Sequence, residues 1–149
     1  MTTDVSTFSS GHIAQIRPLH LIVFIKRKCT MENSPQMSFP RLNEPAPPFT
    51  ARTTSGDRSL EDYRGKWLIL FSHPADFTPV CTTEFIGFAK AAPTFAEMNC
   101  ELLGLSIDSL FSHLAWMRNI KEKFDVEIPF PIIEDISMKV ASAYGMVHP

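Results

Sequence analysis

The chain has 149 residues, 44% hydrophobic and 20% charged, with 14 Lys and Arg against 16 Asp and Glu, a formal charge of −2 and a pI near 6.2. That length suits one domain with its own core, and the near balance of charge excludes a strongly basic nucleic-acid binder and an acidic tail. Three cysteines are too few, and odd in number, for a secreted scaffold held by disulfides. The apolar run Leu21–Ile25 falls far short of the roughly 20 residues that cross a bilayer. The composition therefore reads as a soluble, cytoplasmic domain with no membrane or nucleic-acid partner, whose cysteines serve chemistry.

Residues 1–37 differ from the remainder of the chain. They are rich in Ser and Thr, with an apolar patch at Leu19–Ile25 followed by Lys26, Arg27 and Lys28. A signal peptide carries its charge before the apolar stretch and a small-residue cleavage site after it; a mitochondrial presequence is rich in Arg and poor in acids. This segment has Arg17 and Arg27 alone and begins with Asp4. It reads as a disordered extension, or as upstream sequence ahead of a start at Met37, in front of a domain over residues 38–149.

From Met37 the pattern changes. Pro40, Pro45, Pro47 and Pro48 fix φ and remove amide donors, which predicts an extended lead-in. Phe49–Thr54 reads as a strand, Ser55-Gly56-Asp57 as a turn and Arg58–Leu60 as the return. Lys66–Ser72 is a strand apolar on both faces, of the kind that lies inside a parallel or mixed sheet. Pro79–Met98 places Phe85, Phe88, Ala89, Ala92, Phe95 and Ala96 at helical spacing, with Pro93 kinking or dividing the helix. Leu102–Ile107 is a second buried strand. Asp108 and Ser109 are N-cap candidates for a helix with Leu110, Leu114, Met117, Ile120 and Phe124 on one face. Phe130–Ile133 is a short third strand, and Ser137–Tyr144 a last helix ended by Gly145. Strands alternating with helices predict an α/β layered fold with right-handed crossovers.

The stretch with chemical content is FSHPADFTPVCTTEF, Phe71 to Phe85. Thr78 as N-cap and Pro79 at the first helical position start a helix. Cys81 then falls in the first turn, where unpaired amides and the positive end of the helix dipole favour the nucleophilic thiolate. The Thr78 hydroxyl, one turn earlier, is placed to donate to the sulfur or to an oxygen bound beside it, and Pro74 and Phe77 are expected to wall the pocket. Taken alone, Cys81 could equally be a small buried cysteine; its place between strand and helix favours a reactive thiol. Cys100 and Cys29 read as inert thiols, and His113 and Trp116 as packing residues. His12, His20, His73, His113 and His148 form no i, i+4 pair and meet no C-x-x-C, so neither metal nor other cofactor is expected.

Pro74-Ala-Asp-Phe-Thr78-Pro-Val-Cys81 resembles the P-x-x-x-T-x-x-C motif of the peroxiredoxins, thiol-dependent peroxidases. FSHPADFTPVCTTE is similar to their branch of one-cysteine enzymes and archaeal relatives. The likeness is colinear from about Phe39 through PRLNEPAPPF, LLGLSIDS, SHLAWM and YGMVHP. It implies a thioredoxin-like fold and a peroxidatic Cys81 that breaks the O–O bond of hydrogen peroxide or an alkyl hydroperoxide, becoming a sulfenic acid. It further implies that Thr78 bonds the reacting oxygens and that Pro74 shields the sulfenate. Glu84 would orient an active-site arginine, and His73 would stand near the pocket. The implied partners are the hydroperoxide, an external thiol reductant and further copies of a complete domain.

The family's domain continues past YGMVHP into two strands, a closing helix and that arginine, whose position neither Arg64 nor Arg118 matches. The resemblance therefore implies an incomplete domain in these 149 residues, with an open edge on Trp67–Phe71 that promotes aggregation. Two other readings stand beside the peroxidase: an impaired fragment acting at most as an interaction module, and a thioredoxin-like disulfide exchanger with Thr78 in place of the first thiol.

Overall fold

Leu68, Ile69, Leu70 and Phe71 point alternately to the two faces of one strand, and both faces find apolar partners. The computed structural model describes residues 40–147; the N-terminal segment with Cys29, His12 and His20, and His148 at the other end, lie outside the described residues. In chain order the elements are β1 (Thr50–Thr53), β2 (Gly56–Ser59), a 3₁₀ turn (Leu60–Tyr63), β3 (Trp67–Ser72), α1 (Pro79–Glu97), β4 (Cys100–Ser106), α2 (Leu110–Phe124), β5 (Ile132–Glu134) and α3 (Lys139–Ala143). The strands form one mixed sheet in the order β2-β1-β5-β4-β3.

β3, β4 and β5 are parallel, as helical crossovers between them require. Trp67 stands opposite Cys100, Ser72 opposite Leu105, and Leu105 opposite Ile133. β1 joins antiparallel, Thr53 opposite Ile133, and pairs in turn with β2. One core contains Phe85 of α1, Trp116 and Ile120 of α2, Leu102, Phe130 and Ile132. A second contains Phe49, Tyr63, Leu103, Leu105, Ile133 and Val140.

The elements agree with the sequence reading, with four differences. The turn after β1 is tighter than expected: Gly56, at φ 86, already pairs with Thr53, a backbone angle that glycine adopts without steric cost. Pro93 does not divide α1, which runs unbroken from Pro79 to Glu97. Its ring is exposed, while Phe85, Phe88, Ala89, Ala92 and Phe95 pack into the core on both sides of it, so burial holds the helix together across the missing amide. β3 lies at an end of the sheet, unlike the interior place its doubly apolar pattern suggests but in agreement with the open edge the resemblance implies: β4 pairs on one side and no strand pairs on the other among the described residues.

The fourth difference concerns α2. Its buried residues are His113, Trp116 and Ile120, whereas Leu114 and Phe124 are 40% and 52% exposed. The buried stripe is set by polar groups that find partners: the Trp116 indole N–H donates to Thr82 Oγ1 at 3.1 Å, and both His113 nitrogens are engaged. Ser109 is the N-cap, its Oγ accepting from Ser112 N at 3.3 Å. Asp108 accepts instead from Asp76 N and Ser106 Oγ, each at 2.9 Å.

Candidate active site

β3 ends at Ser72, and the chain turns through His73–Phe77 into α1. Phe77 has φ 59, a left-handed conformation that costs a residue with a side chain roughly 1–2 kcal/mol. Thr78 is extended at φ −84 and ψ 144 and forms the N-cap, with Pro79 opening the helix. Cys81 is the third helical residue, 4% exposed, and packs in the cluster of Phe85, Trp116 and Phe130.

Thr78 caps through its backbone alone. Its hydroxyl donates to the Ala75 carbonyl at 2.9 Å, so its proton is turned back into the loop rather than toward the sulfur. Its carbonyl accepts from Thr82 N at 3.0 Å and from Thr82 Oγ1 at 2.7 Å. With Trp116 donating to that same Oγ1, the first turn of α1 is tied to α2. Pro74 is exposed and Phe77 is 53% exposed, at the surface of the loop that leads into α1. Glu84 is exposed and makes no ion pair among the described residues.

His73 is buried between aromatic rings, 4.8 Å from Phe85 and 5.0 Å from Trp116. Its Nε2 donates to Asp76 Oδ1 at 2.8 Å. His113 approaches the same carboxylate from α2, Nδ1 to Oδ2 at 2.8 Å, and its Nε2 donates to the Ile133 carbonyl at 3.2 Å. Burial pushes the Asp76 carboxyl up, but hydrogen bonds from His113, His73 and Ser112 outweigh it and hold the group well below the usual carboxylate range. The histidines are thus not all scattered, and His113 is more than a packing residue. Sequence reasoning missed Asp76 and His113; a carboxylate three residues after His73 was the available signal. Although three metal-capable atoms gather here, the 2.8 Å contacts are hydrogen-bond lengths, shorter than the roughly 3.3 Å between two ligands of one tetrahedral ion.

The other thiol lies elsewhere. Cys100 opens β4 opposite Trp67, at the beginning of β3, whereas Cys81 comes after the end of β3. The helix between them, at about 1.5 Å per residue, separates the two by roughly 24 Å. Arg64 pairs with Glu61 and Arg118 is exposed on α2.

A parallel β-α-β core with a cysteine in the first turn of the intervening helix defines a thioredoxin-like, thiol-centred domain. Residues 42–149 match the AhpC/TSA family, and the chain belongs to that family. It is 61% identical over 114 residues to a peroxiredoxin of Aquifex aeolicus, covering 76% of this chain and 51% of that protein. It is 57% identical over 117 residues to a peroxiredoxin of Methanosarcina mazei, covering 74% and 53%. Among solved structures, a yeast mitochondrial 1-Cys peroxiredoxin superposes with a TM-score of 0.68 at 50% identity, over 73% of this chain and 52% of that one. The reduced 2-Cys peroxiredoxin of Plasmodium vivax gives 0.63 at 34% identity, over 69% and 68%. The chain spans about half the length of the curated relatives it matches.

Proposed function

We propose that this chain carries the peroxide-reacting part of a thiol-dependent peroxidase, with Cys81 as nucleophile. The observation that carries this reading is the position of Cys81, buried in the first turn of a helix that leaves the end of a parallel strand. The thiolate attacks one oxygen of hydrogen peroxide or an alkyl hydroperoxide. An S–O bond forms as the O–O bond breaks, the sulfur is oxidised to a sulfenic acid, and the leaving oxygen takes a proton to depart as water or an alcohol. Thr78 serves the reacting oxygens once its hydroxyl turns from Ala75. Pro74 shields the sulfenate, Glu84 orients a cation, and His73 supports the site through its contacts with Phe85 and Trp116.

We read the reductant as an external thiol, since Cys100, at the start of β4, stands at the far end of the sheet from Cys81. Exchange within the motif is disfavoured on separate grounds: the partner position holds Thr78, which has no sulfur. The free thiols at Cys81 and Cys100 fit a reducing cytoplasm, where such a reductant is at hand.

The test is to expose the 149-residue chain to one equivalent of hydrogen peroxide with dimedone present and to map the adduct by mass spectrometry. A dimedone adduct on Cys81, lost in Cys81→Ser and retained in Cys100→Ser, is the expected result. Folded protein with no adduct would point instead to an interaction module. A disulfide joining Cys81 to Cys100 within one chain would contradict the external reductant.

A further inference from the structure

The buried carboxylate five residues before Cys81 is held from the end of β3 and from α2, and α2 is tied in turn to β5. His73 at the end of β3 donates to Asp76 Oδ1 at 2.8 Å, and His113 of α2 lies 2.8 Å from Oδ2 and 3.1 Å from Oδ1. The other His113 nitrogen meets the Ile133 carbonyl of β5 at 3.2 Å. None of the three side chains is more than 2% exposed.

The two histidines stand differently. Both His113 nitrogens face oxygens that only accept, so the ring satisfies both only as a doubly protonated imidazolium. His73 engages Asp76 through one nitrogen, and its Nδ1 is buried without a partner, which fits a neutral ring donating through Nε2. The network therefore encloses one carboxylate and one imidazolium. Around it, Asp108 accepts from Asp76 N, Ser112 hydrogen-bonds the Asp76 carboxylate, and Glu134 is occupied with Leu110 N and Arg52. Removing one member of such a buried pair leaves an uncompensated charge and is strongly destabilising.

We propose that His113 is a positioning residue for the Cys81 thiol: by donating to Asp76 it fixes the His73–Phe77 turn and the His73 ring against the start of α1. The charge on His113 is the active feature, and it operates through Asp76. This inference rests on Cys81 being the nucleophile, and the experiment separates the two.

His113→Gln retains a donor without the charge, and Asp76→Asn removes the acceptor. Second-order rate constants of Cys81 are measured with hydrogen peroxide and, across pH, with iodoacetamide. Each single variant is expected to slow the peroxide reaction about tenfold and to shift the pH profile of alkylation, and the double variant to be no slower than either, because the two act through one contact. Losses that multiply to about a hundredfold would mean independent packing roles and overturn the proposal, as would an unchanged His113→Gln. A wild-type chain inert to peroxide would remove the peroxidase reading alone, since the alkylation profiles still decide the role of His113. Should the variants unfold, ¹⁵N spectra of the wild-type histidine rings decide instead: two protonated nitrogens on His113 at neutral pH are expected, and a neutral tautomer there would sink the proposal.

Discussion

The Cζ atom of Phe85 lies 3.3 Å from where a side-chain carbon on Gly104 would stand. Phe85 in turn packs on Trp116 at 4.6 Å and on His73 at 4.8 Å, so β4 approaches the site more closely than a side-chain carbon at Gly104 would comfortably allow. Gly104→Ala must push the ring into a filled core and is expected to destabilise by about 1–3 kcal/mol. Urea denaturation measures this, and a midpoint equal to wild type would refute the close approach.

Asp76 predicts an acid limb in the stability profile. A carboxyl held in the fold below its ordinary 3.8 adds stability that is complete above the unfolded value and is lost as pH falls through the folded one. Wild type should therefore lose stability progressively below about pH 4. Asp76→Asn should be weaker at neutral pH, by on the order of 3 kcal/mol, with a flatter profile between about pH 4 and pH 2. Parallel acid limbs in denaturant titrations at several pH values would contradict the assignment.

Thr82 joins the two helices, donating to the Thr78 carbonyl and accepting from the Trp116 indole. Thr82→Val keeps the shape and leaves a buried N–H without a partner, at an expected cost of about 1–2 kcal/mol. Hydrogen exchange should also quicken at the first turn of α1. Protection there equal to wild type would show that the tie does not hold the turn.

Trp67, 76% exposed on β3, leads a strand whose outer edge carries no charged side chain over WLILFS. Such an edge is a template for pairing. Trp67→Lys is expected to reduce self-association of the 149-residue chain while changing folding stability by no more than about 0.5 kcal/mol. Sedimentation at rising concentration tests this, and equal association of both proteins would exonerate the edge.

Periodicity and turn chemistry were enough to find most of the scaffold. The doubly apolar Lys66–Ser72 run, the Thr78-Pro79 helix start and the Leu102–Ile107 run placed Cys81 in its observed turn. Local patterns could not reveal the Asp76 network, because its members come from a strand end, a loop and a helix 37 positions downstream of Asp76. The same gap explains the misjudged face of α2. Leu114 and Phe124 outweigh His113 on any hydropathy scale, yet pairing with Asp76 and the Ile133 carbonyl offsets the cost of burying the His113 ring. The direction of the Thr78 hydroxyl and the exposure of the Phe77 ring depend on backbone and rotamer angles that residue identity leaves open.

The stacking of Trp116 beside His73 gives the molecule an optical reporter of its own. The chain has two tryptophans, and Trp67 is open to water whereas Trp116 is 1% exposed, so their emission colours separate. Because Trp116 packs on Phe85 in the same buried cluster as Cys81, the blue-edge signal reports on the core around that sulfur without any added dye.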